Sequence, residues 1–416
     1  VGAAMGNHYD ELRGYNDYNL GFGGKIPIYL EPLAALLSKK SGHHVKMVMT
    51  RSEVFECTGP TPGSYIKIKM GATKDGKITA AHAFLAYEAG GFPGGMIEAG
   101  CKCVFAPYNI PNVVVEGYDV VVNKPKTAAY RAPGSTNAAF ASEAVSNEIA
   151  DELDIDPIEF RLINSAAEGT RRADGPIHPE IGCVEVLEAM KNHPHYNTPI
   201  KGPNRGRGIA VGYWFNAGLE SSAAISVNRN GTVNLVEGST DIGGSRTSLS
   251  MQAAEVLGIA AEDINPSVGD TDSIGYTAVT GGSRVTFATG LATYRAAQDV
   301  KRQAIERASI IWDVDSSSLS MDDGIIRSNN QPKLSMSFKE MASQMNDTGG
   351  PIMGRGSFDG KGEGGSFAGN LVDVEIDPET GKTTILRFTV FQDAGKAIHP
   401  SYVEGQMQGG SAQGIG

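Results

Sequence analysis

The tetrapeptide Gly-Gly-Ser-Arg occurs twice, at 243–246 and at 281–284, and each copy precedes a stretch with helical periodicity, at 247–257 and at 287–308. Glycine lets the backbone turn its N–H groups toward a ligand, and a helix N-terminus adds unsatisfied donors and the positive end of a dipole. Ser, Thr and Arg side chains supply further donors. Two such loops predict a large phosphorylated or otherwise anionic ligand that is held from two sides.

The composition argues against two classes of binding partner. The chain has 416 residues and a formal net charge of −11, with scattered Lys and Arg, which argues against nucleic acid or an anionic membrane as partner. Its apolar stretches are too short to cross a bilayer, so we expect no membrane span. Four cysteines without zinc or thioredoxin spacing favour a cytoplasmic protein. Cys101 and Cys103 are interpreted either as two residues on one strand face or as a metal or redox pair.

Periodicity predicts an α+β fold of two mixed αβ domains, because strands and helices do not alternate strictly. The predicted limits are 1–170 for the first domain, 171–206 for a connector and 207–416 for the second domain. In the connector, His193-Pro-His195 is interpreted as solvated, the alternative being a metal site that lacks a third ligand nearby.

Local patterns predict the individual elements. In the first domain we expect a helix at 27–41 that is regular from Pro32, a helix at 138–153, and a helix capped by Asp156. Strands are predicted in both domains, at 45–49, 65–70, 78–87, 113–122, 208–213, 221–227, 232–237, 369–375 and 383–391. The stretch 309–365 is predicted to be rich in loops.

The sequence contains neither a Gly-x-Gly-x-x-Gly fingerprint nor a Walker A loop, so the common dinucleotide and P-loop sites have no support. Glycine-rich anchors are instead spread over the whole chain. They are Leu20-Gly-Phe-Gly-Gly-Lys25, Ala129-Tyr-Arg-Ala-Pro-Gly134, Asp241-Ile-Gly-Gly-Ser-Arg246, Thr280-Gly-Gly-Ser-Arg-Val-Thr286 and Gly405-Gln-Met-Gln-Gly-Gly-Ser-Ala-Gln413. Each anchor alone is also compatible with an ordinary tight turn.

In order and spacing, these anchors resemble the molybdenum-binding large subunit of the molybdenum hydroxylases, the family of xanthine dehydrogenase, aldehyde oxidase and bacterial carbon monoxide dehydrogenase. Two further motifs extend the resemblance: Asp-Pro-x-Glu-x-Arg-x-x-Asn at 156–164, and Asp393-Ala-Gly with His399-Pro400 ahead of Gln406. The family likeness implies a molybdenum–molybdopterin cofactor at the interface of the two domains, in the cytosine dinucleotide form used in bacteria.

The resemblance also implies residue roles. Phe22 and Gly23 would lie beside the molybdenum, which is held through the pterin without a direct protein ligand, and Arg131 would position the pterin near the metal. Gln406 would hydrogen-bond the pterin ring system. The pterin and its pyrophosphate would contact the two loops at Ile242, Gly243, Gly244, Gly282, Ser283 and Thr286. For Arg246 and Arg284 two interpretations stay open, cofactor ligands or surface neighbours.

Substrate recognition is less defined by the resemblance. Tyr213, Trp214 and Pro133 fall near the family's substrate pocket, although Tyr213 and Trp214 are also compatible with a half-buried strand face. Ile26 and Ala99 stand where the purine-oxidising members carry Glu and Arg, and Ala132 stands where the carbon monoxide enzymes carry a copper-binding Cys. Aldehydes or N-heterocycles are therefore the expected substrates.

No catalytic base is assigned, because the family's glutamate is expected beyond Gly416. The resemblance implies hydroxylation with water as the oxygen source. Electrons would pass to iron–sulfur and FAD partner subunits in a dimer of heterotrimers, since the cysteines here cannot hold an iron–sulfur cluster. The absent initiator Met and the glycine-rich end predict a piece of a larger or split subunit. The alternatives are a non-catalytic fragment that keeps the cofactor cradle and a generic nucleotide-binding enzyme.

Overall fold

The computed structural model describes residues 21–24, 27–270, 273–362 and 364–416. Leu20, Lys25 and Ile26, on which part of the sequence interpretation rests, lie outside the described residues.

The first sheet is built on a hairpin and one parallel addition. Strand β1 (Ser64–Ala72) pairs antiparallel with β2 (Ile78–Gly90), and β3 (Val113–Val121) adds parallel to β2. The hairpin turns at Gly76, whose φ of 85° suits glycine and whose N–H donates to the Thr73 oxygen at 2.9 Å. Along β2 buried and more exposed side chains alternate, so one face of this sheet is covered by helices.

Helices α1 to α5 accompany this sheet: Glu31–Ser41, Arg51–Cys57, Ile97–Cys103, Ser135–Glu152 and Pro157–Asn164. Helix α1 ends at Gly42 in the left-handed conformation, and Asp156 caps α5 by accepting from the N–H groups of Ile158 and Glu159. These two predictions are confirmed.

Two predictions in this half are wrong. Residues 45–49 alternate in burial as a strand would, but they pair with no strand among the described residues, so no hydrogen-bond ladder forms. Cys101 and Cys103 lie on helix α3 rather than on a strand, and both are free thiols.

In the described part of the second half, the strands form three sheets, whose orders are β11-β5-β6-β7, β13-β12-β4 and β10-β9-β8. The strands are β4 (Arg205–Phe215), β5 (Ser221–Val227), β6 (Val233–Glu237), β7 (Ile264–Val268), β8 (Leu319–Asp322), β9 (Ile325–Ser328), β10 (Ser335–Ser337), β11 (Met353–Phe358), β12 (Gly365–Ile376) and β13 (Thr383–Gln392). The remaining helices are α6 (Cys183–Asn192), α7 (Pro194–Asn197), α8 (Ser245–Leu257), α9 (Gly290–Trp312), α10 (Phe338–Ser343) and α11 (Pro400–Ile415).

The larger core of this half lies between the four-stranded sheet and helices α8 and α9. Glycines in β11 let α9 come close, because a Cβ at Gly354 or Gly356 would collide with the α9 backbone at Ala296 or Ala292. The hairpin between β5 and β6 turns at Gly231. The stretch 309–365 differs from its prediction, since it contains β8 to β11 and α10 in short pieces that periodicity does not detect.

The second core joins the two halves of the chain. Ile209 of β4 and Leu371 of β12 pack in one cluster with Leu85 of β2 and Phe160 of α5. Helix α6 adds Leu187 and other apolar side chains to this cluster, so the segment predicted to be a solvated connector is partly core. The amphipathic helix α6 is short, and the Pro, Gly and Asn residues on either side of it are typical of a connector. The sequence therefore did not predict this helix. The domain limits stay a prediction, whereas the α+β class is confirmed.

His195 also differs from the solvated interpretation, because its side chain is buried. Its Nδ1 lies 2.7 Å from the Thr389 hydroxyl and its Nε2 lies 3.2 Å from an Asp373 carboxylate oxygen. The described residues contain no group of three or more His, Cys, Asp or Glu side chains that could hold a metal ion. None of the helices in the described ranges is both long enough and apolar enough to cross a membrane.

Candidate functional site

The first Gly-Gly-Ser-Arg loop connects β6 to α8. Gly243 and Gly244 have φ values of 59° and 78°, a region that glycine adopts without strain. A Cβ at Gly244 would collide with the ring of Tyr402, and a Cβ at Gly243 would lie 3.0 Å from Gln406 Nε2. Helix α11 therefore lies directly over this loop, at a distance that only glycine permits.

Backbone donors remain free in the same loop. The Ile242 N–H donates to Ser245 Oγ at 3.2 Å, whereas the N–H groups of Gly243 and Gly244 donate to no described residue. Unsatisfied N–H groups at the start of a helix are suited to an anion. The loop thus has the donor set that a phosphate requires.

The second loop leads into α9 through a π-helical turn, Val285–Thr289. Gly282 has a φ of 71° and its oxygen accepts from the Ala217 N–H at 2.9 Å, while Ser283 is left-handed with a φ of 57°. Gln252 of α8 donates to the Thr286 oxygen at 3.1 Å. A π-turn and a left-handed serine in one loop are irregularities that occur often at functional sites.

The two loops lie side by side. The Thr240 N–H, just before the first loop, donates to Thr280 Oγ1 at 3.1 Å, at the start of the second. Deeper in the protein, Thr289 Oγ1 lies 2.7 Å from Ser239 Oγ and 2.9 Å from Ser221 Oγ. These bonds hold the loops in one arrangement, as two walls of a single site would require.

The arginines of the two loops differ in their surroundings. Arg284 is 1% exposed, and its guanidinium donates to the backbone oxygens of Gly218, Ala278 and Glu220 at 2.5–3.0 Å. Arg246 is half-exposed and pairs with Asp241 at 2.7 Å. Arg284 is therefore not a surface neighbour, and its buried guanidinium binds the second loop to the residues around Gly218.

Arg131 connects the third anchor to helix α11. One guanidinium nitrogen, Nη2, donates to the Gln406 backbone oxygen at 2.5 Å and to Gln406 Oε1 at 3.2 Å, and Nη1 lies 3.4 Å from Gln413 Oε1. No carboxylate of the described residues forms an ion pair with it. Partial burial lowers the pKa of Arg131. A half-buried cation surrounded by neutral oxygens is available to an anionic ligand.

The first anchor joins the same cluster. The Arg131 N–H donates to the Phe22 oxygen at 2.7 Å, and the guanidinium lies 5.4 Å from the centre of the Phe22 ring. Gly23 has a φ of 112°, and a Cβ there would collide with the backbone of Ala129. Phe22, Gly23, Arg131, Gln406 and Gly243 are thus brought together from four separate parts of the chain.

The residues predicted for a substrate pocket are divided. The Tyr213 side chain is buried beside Phe367 and His178, and its hydroxyl accepts from Arg172 Nη1 at 2.7 Å. Trp214 is half-buried and stacks on Phe215 with ring centres 4.5 Å apart, and Pro133 is also half-buried. Trp214 and Pro133 therefore keep surface that a substrate could reach, whereas Tyr213 packs in the core.

Sequence reasoning missed two residues of this region. Tyr402 stacks on His399 with ring centres 3.7 Å apart and covers Gly244. Its spacing from His399, one helical turn, was the available signal. Glu237 ends the apolar strand β6 and is fully buried, a position where a carboxylate is unusual.

These features fit a molybdopterin cofactor. The left-handed glycines let helix α11 lie against the first loop, and the Gly243 and Gly244 N–H groups have no partner among the described residues. The Arg131 guanidinium, which forms no ion pair within the described ranges, contacts the same helix. Small backbone donors and one cation are the chemistry that a phosphorylated ligand needs.

Comparisons with known proteins point the same way. A sequence model described as the molybdopterin cofactor-binding domain matches residues 186–416, and a second with the same description matches residues 21–165. The chain is 29% identical over 421 residues to the putative xanthine dehydrogenase molybdenum-binding subunit of Escherichia coli K12, covering 95% of this chain and 56% of that protein. It is 25% identical over 437 residues to the nicotine 6-hydroxylase large subunit of Paenarthrobacter nicotinovorans, covering 95% and 53%.

Among solved structures, quinoline 2-oxidoreductase from Pseudomonas putida 86 has a TM-score of 0.84 at 24% identity, over 95% of this chain and 55% of that chain. This match shows a shared fold. The chain spans little more than half the length of the curated relatives it matches. The predicted resemblance is confirmed: the chain belongs to the molybdopterin cofactor-binding family, among the molybdenum-binding subunits of the molybdenum hydroxylases.

Proposed function

We propose that the chain binds a molybdenum–molybdopterin cofactor between the two glycine loops and helix α11, as part of an oxidoreductase. The observation that carries this proposal is the Arg131 guanidinium, which donates to Gln406, the residue that lies over Gly243, and has no carboxylate partner among the described residues. When bound, the cofactor supplies a metal centre for oxygen-atom and two-electron transfer.

The residues of this chain bind and orient the group. The Gly243 and Gly244 N–H groups and the second loop at Gly282, Ser283 and Thr286 receive the anionic part, with Ile242 beside them. Arg131 and Gln406 orient the pterin, and Phe22 and Gly23 lie at the metal end. The pyrophosphate of a cytosine dinucleotide form would engage both loops.

The reaction that we propose is hydroxylation of an aldehyde or an N-heterocycle with water. Two relatives support this substrate class by name, the nicotine 6-hydroxylase large subunit and an aldehyde oxidoreductase molybdenum-binding subunit of Escherichia coli. Electrons would leave through iron–sulfur and FAD subunits in a cytoplasmic dimer of heterotrimers. Trp214 and Pro133, which retain accessible surface, would line the substrate side.

Metal content and pterin extraction of the native complex test the proposal. We expect stoichiometric molybdenum and a pterin in the wild-type complex. Arg131→Ala should reduce loading by an amount equivalent to about 1.5–3 kcal/mol, the value of a hydrogen bond to a charged group.

Arg171→Ala is the control, because Arg171 is exposed and donates to the Gly175 oxygen only at the surface. It should leave the molybdenum content unchanged. Normal molybdenum in the Arg131 variant would contradict the assignment, and a loaded complex without turnover on any aldehyde or N-heterocycle would favour a non-catalytic member.

A further inference from the structure

A chain of buried polar groups lies beneath the two glycine loops. Ser221, Ser239 and Thr289 are at most 2% exposed and are linked through their hydroxyls, with Ser239 to Thr289 at 2.7 Å and Thr289 to Ser221 at 2.9 Å. At one end of this series of hydroxyls, Arg284 donates to Ser221 Oγ. At the other end the Ser239 N–H donates to Glu237 Oε2 at 2.6 Å.

These hydrogen bonds connect elements that are distant in sequence. Ser239 precedes the first loop, Thr289 ends the π-helical turn after the second loop, and Ser221 begins β5. Because Arg284 can only donate, Ser221 Oγ accepts from it, and the Ser221 hydroxyl still has a hydrogen and a second lone pair for its bond with Thr289. The buried network therefore sets the position of one loop relative to the other.

Glu237 is the one carboxyl group among the residues of this network. Its side chain is fully buried, and its Oε1 has no hydrogen-bond partner among the described residues. An ionised carboxylate with one unpaired oxygen in the interior is far more costly than a carboxylic acid with its proton on that oxygen. The geometry therefore favours a neutral side chain here.

The surrounding charges agree with this geometry. Burial raises the pKa of Glu237, Asp241 adds to the increase, Arg246 and Arg284 oppose it, and the net value is about 8. The Ser239 N–H, which donates to Oε2, also opposes it. Burial outweighs the two cations, so the carboxyl holds its proton at neutral pH and releases it in mildly alkaline solution.

We propose that Glu237 is a positioning residue of the cofactor site, whose protonated carboxyl completes the buried network that fixes the spacing of the two glycine loops. Ionisation would place a charge with an unpaired oxygen beneath the loops and loosen them. The consequence for the cofactor rests on the proposed function, whereas the consequence for loop order does not.

Backbone hydrogen exchange of residues 238–246 and 280–290 tests loop order in the full chain within its native complex. After correction for the intrinsic effect of pH, exchange in the wild type should rise about tenfold across the titration near pH 8. Glu237→Gln keeps the shape of the neutral acid and an acceptor for Ser239, but it does not titrate. Its loop exchange should be nearly independent of pH, and a wild-type pH response in this variant would overturn the proposal.

Two further variants make the test decisive. Thr289→Val removes the central hydroxyl at nearly constant volume, and exchange should rise in both loops at every pH; an increase in one loop alone would overturn the coupling. Glu98→Gln changes a surface carboxylate of α3, and it should leave the exchange of both loops unchanged. A response of the loops to this control would also count against the proposal.

Molybdenum retention after dialysis at alkaline pH gives a separate result. We expect the wild type to lose several times more metal than Glu237→Gln. Equal losses, together with the expected exchange results, would limit Glu237 to loop stability and overturn its role at the cofactor. Absence of molybdenum from the complex at every pH would overturn the proposed function, while the exchange measurements would still decide the role of Glu237 in loop order.

Discussion

The Arg131 guanidinium donates to the backbone oxygen of Gln406 at 2.5 Å, across 275 residues of sequence. This contact joins the first half of the chain to helix α11, which in turn covers the first glycine loop at Gly243 and Gly244. The site is therefore closed by contacts between segments that are far apart in the chain, and small changes at the loop should be transmitted to α11.

Gly244→Ala tests the close approach of loop and helix. The new Cβ would meet the Tyr402 ring, in a backbone conformation with a φ of 78°. We expect a loss of about 2–4 kcal/mol in the free energy of unfolding, combining left-handed strain with a steric clash, measured by urea denaturation.

Gly381→Ala is the matched control, because Gly381 has a φ of 71° but a Cβ added there would meet no described atom within 4 Å. It should lose only the strain, about 1–2 kcal/mol. Tyr402→Ala should partly rescue Gly244→Ala. Equal losses in the two glycine variants would show that α11 does not press on the loop.

The two copies of Gly-Gly-Ser-Arg predict different responses to the same substitution. Arg284→Lys should reduce the free energy of unfolding by about 2–4 kcal/mol, because lysine cannot reach the several backbone oxygens that the buried guanidinium satisfies. Arg246→Lys should cost less than about 1 kcal/mol, since its pair with Asp241 is half-exposed. Similar losses in urea denaturation of the two variants would contradict the distinction.

The difference between these arginines also shows what the sequence could not reveal. The loops, their helices and the order of the anchors follow from local pattern and were predicted. The acceptors of Arg284 are backbone oxygens of residues 218, 278 and 220. Every residue has a backbone oxygen, so the residue types do not reveal which of these oxygens accept a hydrogen bond. Which of two identical tetrapeptides has a buried arginine depends on packing between β5 and the second loop.

The motif at 156–164 illustrates the same limit. Its cap at Asp156 and its helix were predicted from spacing, but the buried partners of its last residues were not. Asn164 accepts from the Ile78 N–H at 2.8 Å, across 86 residues, and donates to the Gly76 oxygen at 2.8 Å. The motif therefore serves to anchor α5 on the β1–β2 hairpin, away from the glycine loops.

Arg161 of this motif forms a buried ion pair that should dominate the stability of the first half. Glu143 Oε2 accepts from Arg161 Nε and Nη2 at 3.0 and 2.8 Å and from the Val211 N–H at 2.7 Å. Arg161→Met leaves a buried carboxylate without its cation, so we expect a loss of about 3–5 kcal/mol.

Glu98→Gln is the control, because Glu98 pairs with Lys102 on the surface of α3. It should change the free energy of unfolding by less than about 0.5 kcal/mol. Differential scanning calorimetry of both variants checks the contrast, and a small loss for Arg161→Met would mean that the pair is not required for folding.

We expect the stability of the protein to decrease in acid because of His178. Burial lowers the pKa of His178 below its usual value of 6.5, and its Nε2 donates to the Ala106 oxygen at 3.1 Å. The unfolded chain therefore binds a proton that the folded chain excludes. This part of the stability is present above about pH 6.5 and is lost as the pH falls through the lowered pKa. His178→Gln keeps a donor for Ala106 but does not titrate, so its melting temperature should fall less between about pH 6.5 and about pH 5 than that of the wild type.

His43→Gln, at an exposed histidine, should follow the wild type. An acid response of His178→Gln equal to that of the wild type would assign the loss to other groups, with His195, whose pKa is also lowered by burial, as the next to substitute.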